Sequence, residues 1–382
     1  MNKFVICDAD KCTGCSACKC SCPHAAISME PDKNGFLHPR IDYEKCVGCK
    51  LCEKTCPIVN SGLLDKHNPI QCFSAIYKKK SSLSSSGGVC SLIVDRWAHN
   101  GRGCAFCTVF DNVTNAFVFK EINAHNYDSL KSLIPGSKYV QSFCNDSFVT
   151  IKNRLEDNCD VLFVGTPCQI AGLKRFLKIE HKNLTTVGIV CHGVPSQKML
   201  FDHISPFSNN RISNVLFRSH DKYWLQIYDK NNSLVYKKCP IEDSFLEGFQ
   251  LSTILRESCF HCLFTNADRI DDLTLGDFWG LSREHFKNES PSMVLVNTNK
   301  GKDLFDFIAP DLQYFEESIS DAVNGNSQLR EPAKSPKNRK KFLMYYNNGN
   351  FDSAIKKSRS LKSKIAHFKI FESYLKKKWH YN

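Results

Sequence analysis

The sequence lacks several features that would assign it to a common class. No stretch of its 382 residues approaches the ~18 consecutive apolar residues of a membrane-spanning helix. The N-terminus, MNKFVICDADKC, contains no apolar segment of signal-peptide length. A GxGxxG fingerprint is also missing, which leaves a separate nicotinamide-binding site unsupported. The first two absences predict a cytoplasmic protein.

Excess positive charge is confined to the C-terminal end. The chain has 51 Lys+Arg and 39 Asp+Glu, for a net charge of +12. Residues 331–382 contain 14 basic and 3 acidic side chains, so they carry +11 and residues 1–330 carry only +1. A nearly neutral body does not indicate nucleic-acid binding.

The basic tail shows apolar residues at helical spacing with lysines around them: Leu361, Ile365, Phe368, Phe371 and Leu375. This pattern predicts an amphipathic helix whose apolar stripe lies on the body. A peripheral contact with an anionic membrane or with an acidic protein partner is the alternative.

Cysteine, by contrast, is abundant, with 21 residues. Disulfide scaffolds are typically small and secreted, so this content indicates metal ligands or redox groups instead. Residues 12–23 and 46–57 both read C-x2-C-x2-C-x3-C-P. In this spacing three thiolates hold one [4Fe–4S] cube and the fourth crosses to the other cube. The predicted ligands are Cys12, Cys15, Cys18 and Cys56 for one cluster and Cys46, Cys49, Cys52 and Cys22 for the other. Zinc is the weaker alternative, because its sites rarely use a triple run.

The remaining pattern predicts an α+β ferredoxin-like domain over residues 1–60, a linker over 61–72, an α/β domain over 73–330 and a basic helical extension over 331–382. Strands are expected at 161–165 and 186–190, each followed by a helix, which favours a partly parallel sheet. Helices are also expected at 126–134, 146–157 and 241–258.

Four further cysteines are candidates for a third cluster. Cys168 and Cys191 each follow a predicted strand, and Cys259 and Cys262 form a C-x2-C pair. Ligands bind at the carboxyl ends of strands in such sheets, although a lone cysteine there is often only buried packing. Cys104 and Cys107 are also spaced as C-x2-C. They lie in an alternating strand, where they face opposite sides, and are assigned to the core.

Several segments resemble the coenzyme F420 hydrogenase/dehydrogenase beta-subunit family, which includes 7-hydroxymethyl chlorophyll a reductase. They are GTPCQIAGL, CHGVPS, RESCFHCLFTNADRIDDLTLGDFWG, and SSSGG followed by GSKYVQS. The resemblance covers residues 70–345, and some members carry an N-terminal double-cluster ferredoxin module. It implies that Cys168, Cys191, Cys259 and Cys262 bind a [4Fe–4S] cluster.

The resemblance also implies FAD beside that cluster. The matching residues are Ser86, Gly87, Gly88, Gly136, Ser137, Lys138, Tyr139, Gln141, Thr166, Pro167, Gln169, Gly276, Asp277, Phe278 and Trp279. Ser-Gly-Gly before a helix suits a diphosphate, or is only a turn. Lys138 is a candidate catalytic residue that pairs with a phosphate or lies near the flavin edge.

Three side chains near these cysteines have open roles. His192 is a candidate proton donor to substrate, or it only caps a strand end. Arg256 and Arg269 flank the late C-x2-C pair, where they either tune a redox potential by their charge or form ordinary ion pairs.

The predicted function is an iron–sulfur flavoprotein oxidoreductase. Electrons would pass from a reduced ferredoxin-type carrier through [4Fe–4S] clusters to FAD and then to a small organic substrate. One alternative is oxidation of reduced coenzyme F420, with electrons leaving through the ferredoxin domain. Another is a pure electron-transfer subunit of a larger complex. Fold alone does not decide between them.

Overall fold

The structure is a computed structural model, and it describes residues 4–206, 212–219, 222–279, 284–286 and 289–359. The predicted tail helix at 361–378 lies outside these ranges. Within them, no helix has both the length and the apolar character needed to cross a bilayer.

The N-terminal part forms a small unit, here called the cluster module (residues 4–60). Its elements are α1 (Ala17–Cys20), β1 (Ile27–Pro31), β2 (Leu37–Ile41) and α2 (Leu51–Thr55). The two strands pair antiparallel, with Ile27 opposite Ile41. Gly14 and Gly48 have φ values of 68° and 72°, and Ser16 and Lys50 follow at 68° and 58°. The two halves therefore bend alike, as the sequence repeat predicts.

The rest of the chain forms an α/β body. Its first elements are β3 (Gln71–Tyr77), α3 (Val89–Val94), β4 (Gly103–Asp111), β5 (Ala116–Ile122), α4 (Tyr127–Leu130), α5 (Ser147–Glu156), β6 (Asp160–Gly165), α6 (Pro167–Leu177), β7 (Leu184–Ile189) and α7 (Gln197–Ile204). They are followed by β8 (Ile212–Ser219), β9 (Lys222–Asp229), β10 (Leu234–Lys238), α8 (Ser244–Gln250), β11 (Leu273–Asp277), β12 (Ser292–Val296), α9 (Asn299–Ile308), β13 (Leu312–Glu316), α10 (Ile319–Gly325), α11 (Arg339–Asn347) and α12 (Phe351–Ser358).

The central sheet is mixed and has the order β13-β3-β12-β11-β7-β6-β4-β5. Strands β4, β6, β7 and β11 run parallel, and antiparallel pairs extend the sheet at both ends. The partly parallel α/β sheet expected from the sequence is therefore present. A separate three-stranded sheet has the order β10-β9-β8.

Both faces of the central sheet are covered by apolar cores. Cys104 and Cys107 of β4 are buried in two different cores, on opposite faces of the strand. This agrees with their assignment to the core. Because the sheet is closed on both faces, its strand ends are the places left for ligands.

Two predicted helices are shorter in the structure. The helix expected at 126–134 is the single turn α4. The helix expected at 241–258 stops with α8, because Ser252 adopts a left-handed φ of 59° just beyond it. A short 3-10 turn, Glu257–His261, then carries Cys259. The break turns the chain so that this segment reaches the end of β7.

The first part of the predicted C-terminal extension belongs to the body's core. Phe342 and Tyr346 of α11 and Phe351 of α12 are buried in a cluster with side chains of α7 and α8. His203 of α7 also lies between Asp243 and Asp352, with 2.8 Å from its Nε2 and Nδ1 to the two carboxylates. These contacts hold α12 against the body.

Candidate functional site: three groups of cysteines and two adjoining cavities

The cluster module brings predicted cysteine ligands of each set close to one another. The inner site is defined by Cys12, Cys15, Cys18 and Cys56, and all four are buried. Burial raises the pKa of Cys18, and the neighbouring Cys15, Cys12 and Cys56 thiols add to the effect. The fourth cysteine of the second repeat therefore lies with the first three of the first repeat.

The outer site is defined by Cys22, Cys46, Cys49 and Cys52. Cys49 is exposed and the other three are partly exposed. Burial raises the pKa of Cys52, with further contributions from Cys22 and Cys49. The outer site thus faces solvent, whereas the inner site faces the body.

The third site is defined by Cys168, Cys191, Cys259 and Cys262, which line a single cavity of about 750 Å³ including its opening, here called the thiol cavity. Parallel strands β6 and β7 end side by side, so Cys168 at the start of α6 and Cys191 after β7 meet. Gly193 lets the third segment approach, since a Cβ there would lie 3.1 Å from the Cβ of Cys259 at a φ of +128°. Four thiols in one cavity match the donor set of a [4Fe–4S] cluster.

Helix α6 links the third site to the cluster module. Thr166 and Gln169 form a capping box that fixes its first turn, where Cys168 lies. One turn later, a Cβ on Gly172 would lie 2.9 Å from the Sγ of Cys15. At the far end, Arg175 Nη2 donates to the carbonyl of Lys54 at 2.8 Å. These contacts come from positions i, i+4 and i+7, which lie on one helix face.

The loop between two inner-site ligands also lines the thiol cavity. Thr13 and Gly14 form part of its wall. Gln141 Nε2 donates to the Thr13 carbonyl at 3.1 Å, and Arg256 Nε donates to the Cys12 carbonyl at 2.6 Å. The inner and third sites are therefore direct neighbours.

A second cavity, here called the large cavity, has a volume of about 1860 Å³ including its opening. Most residues expected to contact FAD line it: Ser86, Gly88, Gly136, Ser137, Lys138, Tyr139, Thr166, Gln169, Gly276, Asp277 and Trp279. It shares Thr166, Gln169, Cys191 and His192 with the thiol cavity. The two cavities are thus adjacent.

Four expected flavin residues lie elsewhere. Gln141 and Pro167 line the thiol cavity instead. Gly87 contacts β3, because a Cβ there would lie 2.1 Å from the Ala75 carbonyl oxygen. Phe278 is buried in a small apolar core. These four residues are close in sequence to residues that line the large cavity, so the sequence alone could not distinguish them from the lining residues.

Lys138 has a different environment from the one expected. Its Nζ donates to the carbonyl oxygens of Ile134, Pro135 and Gly136 at 2.6, 2.9 and 2.9 Å. Burial lowers its pKa to about 8. Since an ammonium group has three protons, these carbonyls use all of its donors. The geometry favours a role in holding its own loop over one in phosphate binding.

His192 has both ring nitrogens engaged by protein groups. Gln328 Nε2 lies 3.2 Å from Nδ1 and donates to it, which places the ring proton on Nε2, 3.0 Å from Ser252 Oγ. Burial lowers its pKa. The imidazole is therefore held neutral and fixed in the wall between the two cavities.

The large cavity has polar and aromatic walls that the sequence did not reveal. The hydroxyl of Ser84 is buried and has no hydrogen-bond partner in the described part of the chain. Tyr139 stacks on Phe249 with ring centroids 4.5 Å apart, and the centroid of the Tyr223 ring lies 5.8 Å from that of Tyr139. Arg218 holds the carboxylate of Asp277. A ligand with both a flat ring and hydroxyl or phosphate groups fits this lining.

Comparison with known families identifies both parts of the chain. The model of the 4Fe-4S dicluster domain matches residues 11–59. The model for the C terminus of the coenzyme F420 hydrogenase/dehydrogenase beta subunit matches residues 159–321. Residues 159–321 are therefore similar to the C terminus of this beta subunit, and residues 11–59 to a dicluster ferredoxin domain. The chain is an iron–sulfur protein of the electron-transfer oxidoreductase type, as the resemblance of its motifs predicted.

A solved structure also resembles this chain. It is the F420-reducing [NiFe] hydrogenase complex from Methanosarcina barkeri, studied by xenon derivatization. The match has 13% sequence identity and a TM-score of 0.44, and it covers 71% of this chain and 97% of that chain. No curated protein matches the sequence.

Proposed function

We propose that the protein is an iron–sulfur flavoprotein oxidoreductase. It passes electrons from a reduced ferredoxin-type carrier through three [4Fe–4S] clusters to FAD, and then to a small organic substrate. The observation that carries this proposal is the wall shared by the thiol cavity and the large cavity at Cys191 and His192. A group in either cavity would be in close reach of a group in the other.

The bound groups supply complementary chemistry, because iron–sulfur clusters exchange single electrons whereas a flavin carries out hydride chemistry as well. The chain's own contribution is to hold them in sequence. The outer site is open to a carrier at Cys49 and at Val47, which is 64% exposed. The inner site lies where the module contacts the body, and the third site lies in the body beside it.

The large cavity supports FAD through the character of its walls. The unpartnered Ser84 hydroxyl suits a phosphate or sugar oxygen, and the face formed by Tyr139 and Phe249 suits an aromatic ring. Asp277, held in place by Arg218, can accept a hydrogen bond from a ring N–H or a ribose hydroxyl. Lys138 keeps the neighbouring loop in position rather than reaching the ligand.

The family name supports a second candidate function. In that alternative, reduced coenzyme F420 is oxidised at the large cavity and electrons leave through the outer site. A pure electron-transfer subunit of a larger complex would instead need only a flat surface beside the flavin. The large cavity is a recess beside the third site and not a flat surface, which favours a substrate or coenzyme over that third possibility.

Anaerobic purification tests the proposal. We expect about 12 iron atoms per chain, from three four-iron clusters, together with FAD released on heating. Reduced ferredoxin and reduced F420 are then compared as donors to the bound flavin. Zinc in place of iron, or the absence of any flavin, would overturn the proposal. Rapid flavin reduction by reduced F420 with subsequent reduction of the clusters would select the alternative direction.

A further inference from the structure

Arg256 is a buried cation without an acidic partner in the described residues. It is 2% exposed. Nε donates to the Cys12 carbonyl at 2.6 Å, Nη2 to the Leu37 carbonyl at 2.8 Å, and Nη1 to Gln141 Oε1 at 3.3 Å. All three acceptors are neutral. Nη2 also lies 3.4 Å from His38 Nε2, and the guanidinium lies over the Phe36 ring at 5.5 Å from its centroid, so no carboxylate in the described chain balances its charge.

The other buried arginines of the described chain are paired with carboxylates. Arg218 pairs with Asp277, Arg269 lies 3.4 Å from Asp271 Oδ1, and Arg339 lies 3.2 Å from Glu257 Oε2. Arg269 is the informative comparison, because it lines the same thiol cavity and is equally buried. Arg256 therefore differs from it in charge compensation and not in depth.

A buried charge requires a counter-charge, since a guanidinium stays protonated and its removal from water is costly. The open space beside Arg256 is the thiol cavity, which it lines together with the four cysteines of the third site. A cluster held by four thiolates is anionic. On its other side, Arg256 is bonded to the backbone of the inner-site ligand Cys12.

We propose that Arg256 is the common counter-charge of the inner and third clusters. It holds the Cys12–Gly14 loop over the thiol cavity and raises the midpoint potentials of both clusters, because a fixed positive charge favours the more negative, reduced state. The outer cluster lies outside its contacts and is unaffected. This inference rests on the third cluster of the proposed function.

The test is a redox titration of the anaerobic holoprotein monitored by electron paramagnetic resonance, for the wild type and for Arg256→Gln, Arg256→Lys and Arg175→Gln. In Arg256→Gln we expect the reduced-to-oxidised ratio of the inner and third clusters at a fixed potential to fall about tenfold, which is about 59 mV for one electron. Arg256→Lys keeps the charge, so both ratios should stay within about threefold of the wild type. The control Arg175→Gln removes another contact between module and body, at the Lys54 carbonyl, and should leave all potentials unchanged.

Equal potentials in the wild type and Arg256→Gln would overturn the inference, as would an equal shift of the outer cluster. If Arg256→Gln fails to retain iron, Arg256→Lys decides. Retention of all three clusters by the lysine variant supports a role of charge, whereas the same loss in both variants shows that shape alone matters. Iron and flavin counts of the wild type report separately on the proposed function, so the two failures are distinguishable.

Discussion

The inner and outer sites carry the same ligand spacing in opposite surroundings. The four cysteines of the inner site are buried and one of them, Cys15, touches α6, whereas those of the outer site are exposed or partly exposed. The repeat in the sequence therefore specifies which thiols bind a cluster, whereas the docking of the module on the body specifies what each cluster can reach. In the proposed function, the outer site would accept electrons from a carrier and the inner site would pass them to the body.

The largest expected effect comes from removing a ligand of the third site, which would receive electrons from the inner site. Cys168→Ser removes one ligand of the third site, so iron content should fall from about 12 to about 8 atoms per chain. Electron flow from the module to the large cavity should stop, while both module clusters keep their spectra. Iron analysis and paramagnetic resonance of the dithionite-reduced protein measure this. Loss of module clusters in the same variant would contradict the separation of the sites.

Removing a ligand of the outer site should leave the inner and third sites intact. Cys49→Ser removes the exposed outer-site ligand, and we expect reduction by a protein carrier to slow by at least about tenfold, because the inner site is shielded from a docked protein. Dithionite, being small, should still reduce the inner and third clusters. Stopped-flow reduction with both donors makes the comparison, and equal loss with both donors would show that the inner site depends on the outer one.

A rise in pH should lower the folding stability of the body, with the same consequence for the inner and outer sites. Burial lowers the pKa of His203, but its hydrogen bonds to Asp243 and Asp352 outweigh this and raise the pKa from 6.5 to about 9. This shift corresponds to stability of the order of 3 kcal/mol at about 1.4 kcal/mol per pKa unit, fully present below the unfolded-state pKa and lost as pH rises through about 9. Tyr236 and Lys356 are further titratable groups beside these two carboxylates. His203 lowers the pKa of Asp352 against the effect of burial, so the stability that Asp352 contributes is lost as the pH falls.

Denaturant unfolding of the wild type and His203→Gln across pH 6–10 measures the effect. The wild type should lose stability progressively between pH 6.5 and about 9 and level off above that, whereas the variant should be less stable at pH 6 and nearly flat over the same range. Parallel pH profiles of the two proteins would contradict the assignment.

The smallest expected effect comes from a larger side chain placed against the inner site. Gly172→Val places a side chain against the Sγ of Cys15, and overpacking of this kind costs about 1–3 kcal/mol. We expect a lower free energy of unfolding and a broadened spectrum for the inner cluster alone. Gly62→Val is the matched control, because a Cβ at Gly62 meets nothing within 4 Å. Similar spectra for the two variants would refute close contact between α6 and the inner site.

Much of the site follows from local sequence. The cysteine spacing predicted the two sets of module ligands, and strand ends at Cys168 and Cys191 predicted where two segments would meet. The third cluster's four cysteines needed a family resemblance as well, because Cys259 is far along the chain. Such signals are available because spacing and periodicity report on neighbouring residues.

The contacts between the module and the body could not be predicted in this way. Arg256 reaches the carbonyl of Cys12 across 244 residues of sequence, and the Thr13–Gly14 loop becomes a wall of a cavity built by the body. Lys138 was expected to contact a ligand, but its ammonium group donates hydrogen bonds to three carbonyl oxygens of its own loop. Each of these depends on tertiary packing that leaves no pattern in a single segment.

Helix α6 fixes the distance between the third site and the cluster module. From Cys168 to Arg175 it spans seven residues, or roughly 10 Å at 1.5 Å per residue, and its backbone hydrogen bonds keep that length constant. Inserting a single residue between these positions would rotate everything beyond it by about 100°, turning the Lys54 contact away from the module while Cys168 stayed in place. In the proposed electron path, the spacing between the inner and third sites therefore depends on the register of this helix.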